Sequence, residues 1–81
     1  MVRQQRNIEL MRAIGCKLRQ IRKQCGLSQE KVLFRTGIYL NRIENGRSNI
    51  SVSTLITLCT AYGITLHDFF KSLNYGAADT Q

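Results

Sequence analysis

SQEKVLFRTGIYLNRIENG, residues 28–46, is the stretch on which the fold turns. Ser28 offers a side-chain oxygen to the first uncapped N–H groups of a helix that opens at Gln29. That helix runs through Arg35 and stops at Thr36-Gly37, where a glycine supplies the left-handed backbone of a helix end. Tyr39, Leu40 and Ile43 then predict a third short helix, closed by Asn45-Gly46. The reading is of two short helices joined by a tight turn.

Upstream, Leu10, Ile14, Leu18 and Ile21 recur at helical spacing and form one apolar stripe. Arg12, Arg19 and Lys23 occupy the other face, and Gly26 marks the end. Downstream, Arg47–Ile50 reads as a loop and Ser51 caps a fourth helix, with an expected buried face of Val52, Leu55, Ile56 and Cys59. Gly63 ends it. Thr65 and Asp68 form a variant capping box before a fifth helix that carries Leu66, Phe69, Phe70 and Leu73. Five helices and no strand make the chain all-α. Residues 1–75 read as one domain and 76–81 as a flexible tail.

Charge divides the 81 residues unevenly. Residues 1–47 carry eleven of the twelve Lys and Arg against Glu9, Glu30 and Glu44, a formal +8. Residues 48–81 carry Lys71 against Asp68 and Asp79, a formal −1. A uniformly solvated surface does not need that segregation, whereas a protein that meets a polyanion with one half does. Cys16, Cys25 and Cys59 are odd in number and contain no C-x-x-C pair, so they read as reduced thiols in an apolar core, not as a disulfide framework. His67, the single histidine, is expected exposed in a first helical turn, and no four-ligand metal constellation is visible. No segment approaches the ~20 apolar residues of a membrane span, and the N-terminal stretch lacks the apolar core of a signal peptide. The expectation is a cytoplasmic protein without cofactor, metal or evident small-molecule ligand. Glu44 has no second carboxylate or histidine near it in sequence, so a structural ion pair is the expected role, and no nucleophile–base pair or phosphate-cradling glycine loop points to an enzyme.

The stretches IGCKLRQIRKQCGLSQEK, TGI and YLNRIENGRSNISVSTLITLCTAYGITLHDFF, between Ile14 and Phe70, resemble the phage repressor/Cro-like (Xre-type) helix-turn-helix family. The short length and the RIENGRSNIS run are most similar to the controller proteins of restriction–modification systems. The resemblance implies a five-helix bundle of the phage-repressor DNA-binding-domain type, with a central helix-turn-helix that places its third helix in the major groove of double-stranded DNA. It implies a sequence-specific transcriptional regulator that binds a pseudo-palindromic operator as a homodimer. Carried over by position, Asn41 and Arg42 contact bases, since Asn suits adenine and Arg suits guanine. Gln29, Arg47, Ser48 and Asn49 contact phosphates, and Tyr39 is expected to pack while its hydroxyl reaches one. Arg22 and Glu44 form a partly buried pair that ties the first helix to the third. Phe69, Phe70 and Leu73 lie at the dimer face, one of the two adjacent phenylalanines entering the monomer core.

The sequence departs from the family in one place. About seven residues separate the turn glycine from the R-I-E triplet in the family, but only Ile38 to Asn41 separate Gly37 from Arg42. The missing three correspond to the start of the recognition helix, and alignment from either side gives registers three residues apart. Leu33 stands where the family prefers a small residue at the crossing of the two helices. A protein-interaction module on the same scaffold, such as an antitoxin-type regulator, or a variant with impaired DNA binding, is the alternative.

Overall fold

The computed structural model describes residues 2–73, with side chains from residue 8 onward, so the expected tail at 76–81 lies outside the described residues. Five helices follow one another: α1 (Val2–Gln24), α2 (Gln29–Thr36), α3 (Asn41–Glu44), α4 (Val52–Ala61) and α5 (Leu66–Leu73). No strand occurs among the described residues.

Local chemistry sets the boundaries. Ser28 Oγ accepts from Lys31 N–H, Ser51 Oγ from Thr54 N–H and Thr65 Oγ1 from Asp68 N–H, each at 2.9–3.0 Å, so three helices begin on side-chain caps. Three helix ends close on the same pair of backbone bonds. At α1, Leu27 N–H reaches the Arg22 carbonyl and Gly26 N–H that of Lys23; the bonds recur around Gly46 and Gly63. Between α2 and α3, Thr36 bridges the turn: its hydroxyl donates to the Val32 carbonyl at 2.7 Å and accepts from Ile38 N–H at 3.1 Å.

The core gathers Ile14 and Leu18 from α1, Val32 from α2, Leu40 and Ile43 around α3, Leu55, Leu58, Cys59 and Tyr62 on or just beyond α4, and Phe69 from α5. α4 differs from expectation. Its buried line is Leu55, Leu58, Cys59 and Tyr62, while Val52 and Ile56 are 65% and 46% exposed. Of the three cysteines, only Cys59 belongs to the core, where burial pushes its thiol up; Cys16 and Cys25 are exposed. His67 is exposed.

α1 and α3 approach through a glycine. Gly15 is buried, and a Cβ there would overlap the Ile43 carbonyl oxygen and lie 3.1 Å from the Glu44 carbonyl carbon. Gly46, at φ 73°, closes α3 against Arg12, whose Cγ would stand 2.7 Å from an added Cβ. The one-turn α3 thus rests with its backbone directly on α1.

Tyr62 is 6% exposed, and its hydroxyl has no hydrogen-bond partner among the described residues. Burial, reinforced by the charge of Glu44, pushes the phenol up to about 12. An unfolded tyrosine titrates near 10, so the folded chain holds the proton more tightly. This stabilisation is complete below about pH 10 and fades as pH rises through about 12. Tyr62→Phe is expected to flatten stability across that range relative to the wild type. It should hold or raise stability at neutral pH, by up to about 1 kcal/mol, because it removes an unpaired buried hydroxyl. Urea denaturation across the range checks both parts.

Candidate nucleic-acid interface

The polar contacts that tie α3 to α1 and α2 converge on Glu44. Arg22 Nε donates to Glu44 Oε2 at 2.7 Å and Arg22 Nη2 to Glu44 Oε1 at 3.0 Å, a side-on, two-bond pair. Its side chains are 8% and 2% exposed. The hydrogen bond to Glu44 outweighs the opposing effect of burial and raises the guanidinium pKa. Arg22 Nη1 also donates to the Leu27 carbonyl at 2.7 Å, which joins the same side chain to the turn before α2. The sequence leads to this pair only through the family resemblance, since the two residues are 22 apart.

Gln29, expected on a phosphate, is also tied inward. Its Nε2 donates to Glu44 Oε1 at 2.9 Å. Glu44 therefore accepts from α1 and from the first residue of α2 at once, and three helices share one carboxylate. Nothing in the local sequence signals this bond. Only one amide proton is committed, so the other is available to a phosphate.

Asn41 and Arg42, the expected base contacts, are both exposed on α3. Asn45 Nδ2 donates to Asn41 Oδ1 at 3.2 Å, which orients the Asn41 carboxamide. Tyr39 corrects the expectation: α3 begins at Asn41, two residues later than the apolar spacing predicts, and Tyr39 stands before it at 77% exposure instead of packing. With three fewer residues between Gly37 and Arg42, the chain has no length for a preceding helical turn. Arg47 and Asn49 are exposed and Ser48 is half-buried, all in the segment after α3. Phe34 on α2 is 89% exposed, flanked by exposed Arg35 and one turn from exposed Lys31. Sequence reasoning missed it, because α2 is too short for its apolar spacing to tell a core face from an outer one.

Between α2 and α3 lies an open groove of about 150 Å³, lined by Gln29, Glu30, Leu33, Tyr39, Leu40 and Asn41. Leu33, on the second helix, is only half-buried at this place.

Among the expected dimer residues, Phe69 is corrected. It is 0% exposed at the centre of the core and unavailable to a partner. Phe70 is 47% exposed and meets the Phe69 ring edge-on, with centroids 5.4 Å apart. Leu73 is half-buried and packs on the core cluster. No group of His, Cys, Asp and Glu suited to a metal ion, and no helix long and apolar enough to cross a membrane, occurs among the described residues.

The family described as Helix-turn-helix matches residues 18–69. Two similar proteins are named as HTH-type regulators. The HTH-type transcriptional regulator DdrOP3 of Deinococcus deserti is 36% identical over 62 residues, which is 73% of this chain and 48% of that protein. The uncharacterized HTH-type transcriptional regulator y4dJ of Sinorhizobium fredii is 34% identical over 61 residues, 72% of this chain and 79% of that protein. The chain thus spans about half the length of the first relative and most of the second.

Proposed function

The chain belongs to the helix-turn-helix family, and on that premise we propose that it is a sequence-specific DNA-binding transcriptional regulator that acts as a homodimer on a pseudo-palindromic operator. The observation that carries this reading is the clamp on Glu44. A four-residue helix cannot hold itself in place, yet this one is fixed to α1 by the Arg22 bonds and to α2 by Gln29. The effort of three helices goes into presenting Asn41 and Arg42 outward, with Arg47 just beyond them. Lys31, Arg35, Arg42 and Arg47 are all exposed, which supports phosphate attraction in this half of the chain. Within the family, the restriction–modification controllers remain the proposed subgroup, on the strength of the RIENGRSNIS run.

The dimer reading draws support from exposed apolar side chains. Phe70 on α5 and Val52 and Ile56 on α4 leave three large apolar groups outside the monomer core, on two helices that pack against each other, in the half of the chain with a formal −1. Phe70→Asp is expected to dissociate the dimer without unfolding the monomer, since the ring lies outside the core. Sedimentation checks this: a shift to monomer is expected, and a wild type already monomeric at high micromolar concentration contradicts it.

The test of DNA binding is electrostatic. Affinity should fall log-linearly with salt, with a slope of about −0.9 for each neutralised phosphate. Arg47→Ala should weaken all duplexes alike and reduce that slope by about one. A salt-independent affinity contradicts the reading and favours the protein-interaction alternative.

A further inference from the structure

The groove between α2 and α3 follows from the brevity of α3. A helix of one turn covers little of its neighbour, so Leu33 on α2 stays half-buried and forms an apolar floor with Leu40, which is 2% exposed. The rim has different chemistry. Gln29 and Asn41 bring carboxamides, Tyr39 a phenol and Glu30 a carboxylate. The carboxylate makes the groove a poor receptor for phosphate. An apolar floor beneath hydrogen-bonding groups instead matches the edge of a base pair in the major groove. There thymine shows a methyl group beside an acceptor, and its adenine partner shows a donor beside an acceptor. The volume is also suitable: a cavity of about 150 Å³ accepts one benzene-sized ring, so the edge of a pyrimidine fits and a whole nucleotide does not. Asn41 lines the groove and is itself exposed on α3, so a base pair read by its carboxamide would lie at the mouth.

We propose that this groove is a specificity-determining site that takes the C5-methyl group of thymine onto Leu33 and Leu40, with Asn41 hydrogen-bonding the same or the adjacent base pair. The proposal rests on the DNA-binding reading and adds to it a position where thymine is distinguished from cytosine by an apolar contact to which the second helix contributes Leu33. An apolar side chain of a protein partner is the competing occupant. It would leave Gln29, Glu30 and Asn41 facing a group that cannot bond them.

The experiment removes the methyl and nothing else. The duplex most enriched by selection from random sequence is made with 2′-deoxyuridine in place of thymidine, one half-site position at a time, and affinity is measured by gel shift. One position is expected to lose about fourfold in affinity for each methyl removed, and about fifteenfold when both half-sites are changed. Leu33→Ala is expected to bring the thymine-to-uracil ratio at that position close to one. Equal affinity for every uracil duplex overturns the proposal while DNA binding stands. A ratio undiminished in Leu33→Ala overturns it too, since the methyl is then read elsewhere. A chain that binds no duplex overturns the proposal together with the reading beneath it.

Discussion

Glu44→Ala is expected to lower the unfolding free energy by about 3–5 kcal/mol, because it strands a buried cation. A chain of this length has only about 4–12 kcal/mol to lose, so the variant should be folded marginally or not at all. Arg22 is 7% exposed, and without Glu44 its guanidinium keeps, among the described residues, only the Leu27 carbonyl as a partner. Gln29 loses its acceptor as well. An exposed pair would cost about 0–1 kcal/mol under the same change, so the magnitude distinguishes a clamp from a surface contact. Replacing both partners together, Arg22→Met with Glu44→Leu, should cost much less than Glu44→Ala, since no lone charge is left in the interior. The double variant should still lose operator affinity, because Gln29 no longer has a carboxylate through which to hold α3. Urea denaturation with an unchanged m-value gives the stability difference; a loss below about 1 kcal/mol for Glu44→Ala contradicts the clamp.

Gly15→Ala is the second large effect, and here the sign is the result of interest. Inside a helix, alanine is favoured over glycine by about 1 kcal/mol, so helix propensity alone predicts stabilisation. The added Cβ, however, would overlap the Ile43 carbonyl oxygen and stand 3.1 Å from both the carbon and the oxygen of the Glu44 carbonyl. These are backbone atoms and cannot rotate aside. α1 and α3 must separate, and overpacking of this kind costs about 1–3 kcal/mol or more. The expected net effect is a loss of about 2 kcal/mol, or a Tm lower by about 8–16 °C for a domain of this size. Gly15→Val should be worse. A rise in Tm for Gly15→Ala would mean that α3 does not rest on α1 as described.

These two sites differ in how far the sequence discloses them. The caps at Ser28, Ser51 and Thr65 and the helix ends at Gly26, Gly37, Gly46 and Gly63 are legible because each depends on residues within a few positions of itself. The stripe Leu10, Ile14, Leu18 and Ile21 is legible for the same reason. Gly15 and Arg22 lie seven residues apart, two helical turns, on the side of α1 that meets α3, but a glycine and an arginine carry no apolar signal. On α4, five of the ten residues from Val52 to Ala61 are Val, Ile, Leu or Cys apart from its alanine, so two overlapping faces satisfy the same periodicity. Only packing against the other helices selects Leu55, Leu58, Cys59 and Tyr62 over Val52 and Ile56.

For the site, the sequence discloses which residues are candidates and conceals how they are held. Asn41 and Arg42 are recognisable by type and position, yet the start of α3 at Asn41 and the exposure of Tyr39 follow from a three-residue shortening whose structural effect no pattern predicts. The bond from Gln29 to Glu44 spans 15 residues and joins two helices that the sequence treats separately. The groove is a product of what α3 lacks, and an absence leaves no motif.

The central claim is that a one-turn helix clamped by Arg22, Glu44 and Gln29 reads DNA. Selection from a pool of random duplexes, repeated at two salt concentrations, tests it most directly. The account predicts an enriched pseudo-palindrome with half-sites about one helical turn apart, on the order of 34 Å, bound more weakly at the higher salt, with the enrichment lost in Arg42→Ala. A pool that emerges without any enriched sequence would contradict it.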